Sequence, residues 1–205
     1  GVQTCALPIF VSRQGEAGLP LMVVGIAEDI TDKKHMESEL QRLATTDVLT
    51  QSSNRRYFFD SAEAAFKECR REGIPLAFLL LDVDDFKKIN DRFGHQVGDQ
   101  VLQRIAQSGS AALRRGDLFG RIGGEEFAVL LPGCDEQTAR QIGERLQREV
   151  QRLRFQEGEQ SFGITVSQGL TVLQADDEGL GALYGRADAA MYSAKRQGKD
   201  CIVVG

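Results

Sequence analysis

The chain is short of cysteine, of long apolar runs and of positive charge, and each shortage removes a class of function. Its four cysteines, Cys5, Cys69, Cys134 and Cys201, are scattered, form no CxxC pair and have no histidine clustered beside them. That pattern fits free thiols in a reducing compartment rather than a disulfide frame or a zinc site. No apolar run approaches the roughly 20 residues that cross a bilayer. The start also lacks the basic and long apolar stretches of a signal peptide. A cytoplasmic location, with no membrane segment in this chain, is therefore expected. The net charge of −5 lacks the basic excess of a nucleic-acid binder. Neither a GxxxxGK followed by Ser or Thr nor a GxGxxG occurs, so the P-loop and Rossmann readings have no support.

What is present is an ordinary globular balance. Hydrophobic residues at 41% and charged residues at 27% allow a packed core, and 205 residues suit one domain with an appendage. Residues 1–10 match nothing that follows. GVQTCALPIF resembles the translation of a sequencing-library adapter and is read as a non-native leader. Leu19–Ala27 is apolar and β-rich, which predicts a strand. Residues 32–46 turn helical, and Met36, Leu40 and Leu43 take the a/d spacing of a coiled coil. Either a lone helix packed on its own domain or a parallel dimer stalk fits that spacing.

From Asp47 onward the pattern alternates. Arg55–Glu72 predicts a helix with Phe58, Ala62, Ala65, Phe66 and Cys69 on one face, closed by Gly73. Leu76–Leu81 reads as a central strand covered on both sides. A short helix is expected over Asp84–Asp91 and a longer one over Gly98–Leu113. Leu118–Ile122 and Phe127–Leu131 flank Gly123-Gly124 as a hairpin. A helix over Cys134–Leu153, a strand over Phe162–Val172, a helix over Gly181–Arg196 and a strand over Cys201–Val204 complete the series. The fold class is α/β of the α+β kind, a mostly antiparallel sheet flanked by helices.

Two acidic clusters carry the chemistry. Asp82 ends the apolar strand, and an ionised group there is hydrated or metal-bound rather than buried bare. Asp84 and Asp85 follow, and three such close carboxylates need a cation or a helix N-terminus beside them. A calcium loop is excluded, because DVDDFKKINDRF lacks both the turn glycine and the terminal glutamate. The second cluster is Gly123-Gly124-Glu125-Glu126, where the glycines permit a tight reversal and the glutamates project from it. A hairpin beside the central strand would bring both clusters together, the arrangement that holds two metal ions for in-line attack on a phosphate. Backbone N–H groups near Asp85 and Phe86, with Lys87 and Lys88, suit a polyphosphate. Lys195 and Lys199 lie at the end of the last helix, where they serve its dipole or a triphosphate. Asn90 and Asp99 are candidates for a guanine edge, or are cap and turn residues.

These residues lie in four segments: DVLTQSSNRR from Asp47, LDVDDFKKINDRFGHQVGD from Leu81, RRGDLFGRIGGEEF from Arg114 and ADAAMYSAKRQGKD from Ala187. In order and spacing they resemble the GGDEF domain of diguanylate cyclases, over residues 47–205. GIAEDITDKKHMESEL from Gly25 is similar to the exit of a PAS sensor domain, which makes residues 11–31 its C-terminal remnant. The GGDEF resemblance implies a fold shared with nucleotidyl cyclases and polymerase palms. It implies a homodimer with one GTP per subunit, in which each 3′-hydroxyl attacks the opposite α-phosphate, yielding cyclic di-GMP and pyrophosphate. By this resemblance Asp82, Glu126 and the Val83 carbonyl hold magnesium, two ions per site, with manganese as a substitute. Glu125 deprotonates or positions the 3′-hydroxyl, and Asn90 and Asp99 read guanine. Phe86 and Lys87 form the phosphate-binding turn, Lys195 and Lys199 reach the phosphates, and Gly123 and Gly124 leave room for the nucleotide. Arg114 and Asp117 match the family's RxxD inhibitory site for the product. Two positions depart from the family: Gln51-Ser52-Ser53 replaces Gly-Leu-Pro, and Lys199 stands where arginine is frequent. The competing reading is a catalytically silent module that senses GTP or cyclic di-GMP.

Overall fold

A computed structural model of the chain describes residues 4–6, 27–29 and 31–205. Residues 1–43 and 44–205 form two compact units. In the first, β1 (Thr4–Ala6), inside the stretch expected to be a non-native leader, pairs antiparallel with β2 (Ala27–Asp29). The strand expected over Leu19–Ala27 lies outside the described residues except for Ala27, as does most of the PAS-like stretch. Helix α1 (Thr31–Thr45) follows, with Met36, Leu40 and Leu43 exposed. Among the described residues no helix is long and apolar enough to cross a membrane.

The second unit carries α2 (Arg55–Glu72), β3 (Leu76–Val83), α3 (Phe86–Phe93), α4 (His95–Ala111), β4 (Leu118–Arg121) and β5 (Glu126–Pro132). After these come α5 (Glu136–Arg152), β6 (Phe155–Glu157), β7 (Gln160–Phe162), β8 (Val166–Val172), α6 (Leu180–Arg196) and β9 (Ile202–Val204). Polar caps set helix starts: Asn54 accepts the Tyr57 N–H at 2.9 Å, and Asp135 accepts the Thr138 N–H at 2.8 Å.

The main sheet runs β4-β5-β3-β8-β9. All its pairs are antiparallel except β8 with β9. Strand β3 is central and buried along its whole length. Side chains alternate across a strand, so β3 feeds two cores. Ala77, Leu79, Leu81 and Val83 pack with apolar residues of α4 and α5, including Val101, Ile105, Ile142 and Leu146. Leu76, Phe78 and Leu80 pack with α2 and α6 through Phe58, Phe66, Leu183 and Met191.

The strand expected over Phe162–Val172 is broken. Its first residue closes a small β6–β7 hairpin, and β8 begins only at Val166. The cause is aromatic: Phe162 stacks on Phe93 of α3 at 4.4 Å and on Phe155 at 5.4 Å, which pulls it out of the sheet. Strand β3 also runs past Leu81 to Val83, so Asp82 sits within the strand rather than after it.

Candidate active site

The antiparallel register of β3 with β5 pairs Leu76 with Pro132 at one end and Asp82 with Glu126 at the other. Directly opposed residues point to the same face, so the two acidic clusters meet on the side covered by α6. Asp82 is only 5% exposed. Burial pushes its carboxyl above the usual range, and Lys195 Nζ, 2.8 Å away, opposes that shift. The Glu125 carboxyl is also raised, first by burial and then by the charge of Asp82, with Lys195 opposing and Glu126 adding to it.

The turn between β4 and β5 is held from several sides. The N–H groups of Ile122 and Gly123 both donate to the Glu126 carbonyl, at 2.9 and 3.3 Å. The Glu126 carboxylate folds back over Gly123, where any Cβ would collide with it. Arg55 donates to the Ile122 carbonyl at 2.5 Å. Arg121 donates through Nε and Nη2 to the Gly124 carbonyl, at 3.1 and 2.7 Å. Its Nη1 lies 3.2 Å from Asp47 Oδ1, which also accepts from the Thr50 N–H and hydroxyl at 2.8 Å each. Asp47, Arg55 and Arg121 were not among the expected site residues. The start DVLT held a local signal, an Asp three residues before a Thr, but nothing pointed to Arg121.

The three neighbouring aspartates have separate partners. Asp84 accepts from the Thr165 hydroxyl at 2.7 Å, the Ser167 hydroxyl at 2.6 Å and the Asp200 N–H at 3.1 Å. It is a satisfied buried carboxylate that fastens β3 to β8. Asp85 begins α3 at φ 56° without capping it through its side chain. Its carboxylate instead meets Lys88 at 2.8 Å and Lys199 at 2.7 Å, and these bonds hold its pKa down.

The other expected residues line the same end of the sheet. Phe86 is buried and Lys87 exposed on the first turn of α3. The buried Asn90 Oδ1 has no hydrogen-bond partner. It lies against Gly98 of α4, where a Cβ would strike it, with Phe86 beside it. Asp99, the next residue, is exposed. Lys199 stands in a turn beyond α6, not on the helix itself. Gly124 is open above the turn. Asp82, Glu126 and the Val83 carbonyl are hard oxygen donors suited to a small divalent ion that keeps water and phosphate ligands. Among the described residues no three acidic, histidine or cysteine side chains gather as a metal-binding group.

Arg114 and Asp117 sit at the far end of β4. Asp117 accepts both the Arg114 backbone N–H and its Nε at 3.1 Å, and its side chain is 1% exposed. Arg114 Nη2 reaches the Pro132 carbonyl at 2.7 Å. Asp117 thus faces Arg114 rather than solvent.

Residues 44–201 match the family model for the diguanylate cyclase GGDEF domain. The chain belongs to the GGDEF family. A diguanylate cyclase of Vibrio cholerae is 37% identical over 181 residues, covering 87% of this chain and 55% of that protein. Diguanylate cyclase DgcP of Pseudomonas aeruginosa is 40% identical over 170 residues, covering 83% of this chain and 25% of DgcP. This GGDEF chain therefore spans about half of one curated relative and a quarter of the other. Its fold is similar to the crystal structure of the coiled coil and GGDEF domain of DgcB from Caulobacter crescentus in complex with c-di-GMP. That likeness has a TM-score of 0.80 at 29% identity and covers 86% of this chain and 93% of the other.

Proposed function

We propose that this GGDEF chain is a diguanylate cyclase that condenses two GTP into cyclic di-GMP and two pyrophosphates, as a homodimer with one GTP per subunit. The observation that carries this reading is the in-register pair of Asp82 and Glu126, with Lys195 on Asp82 and Lys199 on the nearby Asp85. Asp82, Glu126 and the Val83 carbonyl would hold Mg2+, two ions per site, with Mn2+ as a substitute. The metal would supply positive charge against the phosphate oxygens as the α-phosphate is attacked.

The chain's own groups do the rest. Glu125, whose carboxyl is raised by burial, takes or positions the 3′-hydroxyl proton, and a raised pKa suits that task. Asn90 Oδ1 is an unpaired buried acceptor. Leaving it unpaired costs free energy, and the N–H edge of guanine would offset that cost. Asp99, one residue beyond Gly98 on α4, accepts from the same edge. Phe86 and Lys87 open α3, and their N–H groups come before the first that a carbonyl one turn earlier could accept, so they suit phosphate. The Lys88 N–H, by contrast, is taken by the Asp85 carbonyl at 2.8 Å. Lys195 and Lys199 supply cations to the triphosphate, and Gly123 and Gly124 leave the turn low enough for it.

The exposed Met36, Leu40 and Leu43 of α1 support a parallel stalk that brings two GGDEF domains face to face. Product would bind at Arg114 as a feedback ligand, with Asp117 orienting the guanidinium.

The test is nucleotide chromatography after incubation with GTP and Mg2+. Cyclic di-GMP should form, and Glu126→Gln should lower turnover by about a hundredfold or more. Bound GTP without product, at every protein concentration, would favour the silent binding module instead.

A further inference from the structure

Four non-glycine residues lie at positive φ among the described residues, and three of them meet at one place: Asp85 (56°), Lys199 (66°) and Asp200 (48°). A left-handed conformation is unfavourable for a residue with a Cβ, less so for aspartate than for lysine. Strain of this kind persists only where the surroundings impose it. Here the surroundings are specific. Gln147 and Gln151 lie one turn apart on α5, on one helix face. Gln147 Nε2 donates to the Asp200 carbonyl at 2.5 Å and to its Oδ1 at 2.9 Å. Gln151 Nε2 donates to both carboxylate oxygens at 2.9 Å. The Asp200 N–H donates to Asp84 Oδ2, and the Lys199 N–H to the Ala194 carbonyl at 3.1 Å. The strained pair is thus tied to α5, to the end of β3 and to the last turn of α6. Its outcome is the position of Lys199, whose Nζ lies 2.7 Å from Asp85 at the head of α3.

We propose that Gln147 and Gln151 are positioning residues for the triphosphate end of the nucleotide, acting through Asp200 to aim Lys199 at the first turn of α3. Neither glutamine touches the acidic pair or Lys199 itself. A lysine stem has several free rotations, so fixing its backbone limits where the ammonium can go. The proposal rests on the reading of Lys199 as a phosphate handle.

The test compares GTP kinetics of the full chain with Mg2+ in five variants: Gln147→Ala with Gln151→Ala, Lys199→Ala, the triple combination, Asp200→Asn and Asp200→Ala. A handle that binds substrate and transition state alike affects KM and spares kcat. The glutamine pair and Lys199→Ala should each raise KM by about tenfold, with kcat within about twofold. The triple variant should be no worse than Lys199→Ala alone, because both changes remove one contact. Asp200→Asn keeps an acceptor and tolerates the left-handed backbone, so it should stay near the parent, whereas Asp200→Ala should behave as the glutamine pair does. Should the alanine pair not fold, the isosteric Gln151→Glu, which sets two carboxylates together, replaces it. If turnover is absent, GTP titration supplies Kd in place of KM. An unchanged KM in the glutamine variants, or losses that add in full in the triple, overturns the proposal while leaving Lys199 in its role. An unchanged KM in Lys199→Ala removes the handle itself and the proposal with it.

Discussion

Replacing Arg121 with lysine should slow turnover while the domain stays folded. Arg121 makes three contacts, two to the Gly124 carbonyl at 2.7 and 3.1 Å and one to Asp47 at 3.2 Å. A guanidinium serves both acceptors at once, whereas an ammonium on a flexible stem is a point charge without that fork. Hydrogen bonds to charged groups are worth about 1.5–3 kcal/mol, and partial exposure favours the lower end. Arg121 is 17% exposed and Asp47 25%, so about 1.5 kcal/mol of restraint on the turn should be lost. Under the cyclase reading that turn carries Glu125 and Glu126. If the restraint acts fully in the transition state, kcat falls by about tenfold. Asp47 reports the same loss. Burial works against its ionisation and is outweighed by the Thr50 and Arg121 hydrogen bonds, which leaves its pKa lowered. In the lysine variant it should rise. The assay is kcat and KM for GTP beside urea unfolding of the same samples. A kcat within about twofold of the parent, with stability down by about 1 kcal/mol or more, would show that the tether holds the fold and does not position the turn.

Arg114→Ala should weaken inhibition by cyclic di-GMP by about tenfold or more while leaving the initial rate within about twofold, measured by adding product to progress curves. An unchanged inhibition constant would remove Arg114 from product binding. Gln51→Gly should raise the unfolding midpoint slightly. It relieves the positive φ of 57° at Gln51, worth about 1–2 kcal/mol, and gives back part of that in unfolded-state entropy and in the Gln51 bond to the Val48 carbonyl at 2.7 Å. A lowered midpoint would contradict this. The Asp177–Arg186 pair should give the fold an acid dependence. The Arg186 hydrogen bond holds the Asp177 carboxyl below its ordinary 3.8. Its stabilisation is therefore complete above the unfolded pKa and is lost as pH falls through the lower folded value. Arg186→Gln should flatten urea midpoints between about pH 5 and pH 3, and an equally steep profile in the variant would assign the slope to other groups.

The sheet and its helices were legible where local signals were strong. The apolar face of Arg55–Glu72 and the closing Gly73 gave α2, and the helix falls on those bounds. The LAFLLLD run and the two glycines located the strands that carry Asp82 and Glu126, whereas their pairing side by side rested on placing the hairpin beside the central strand and is seen in the sheet itself. Features decided by distant partners were not legible. The β6–β7 hairpin depends on Phe162 stacking with Phe93, 69 residues earlier. Asp84 looked like a third member of the acidic cluster. Its partners are hydroxyls on Thr165 and Ser167, 81 and 83 residues away. The pairing of Arg121 with Asp47 spans 74 residues and leaves no local trace. Lys199 was expected at the end of the last helix, but its left-handed backbone carries it into a turn that reaches α3.

The alignment of Asp82 with Glu126 needs a cause other than the apolar pattern. Where one face of a strand is buried and the other is wet, a slip of one residue puts the apolar set into water, and the register is strongly fixed. Strand β3 is buried on both faces. A slip there would exchange one apolar face for the other, so the hydrophobic term specifies register weakly. The polar anchors at its end decide instead. On one side Asp84 takes the hydroxyls of Thr165 and Ser167, which fixes β3 against β8. On the other, the Val83 N–H meets the Glu125 carbonyl at 3.3 Å, while Arg55 and Arg121 hold the turn that leads into β5. A slip of β3 against β8 would leave the buried Asp84 carboxylate unpaired, at a cost well above that of one lost packing contact, and a slip against β5 would break the Val83–Glu125 bond. Asp84 touches no ligand in the reading given to the site, yet it fixes the strand that carries Asp82, and the Val83–Glu125 bond ties that strand to the turn that Arg121 holds.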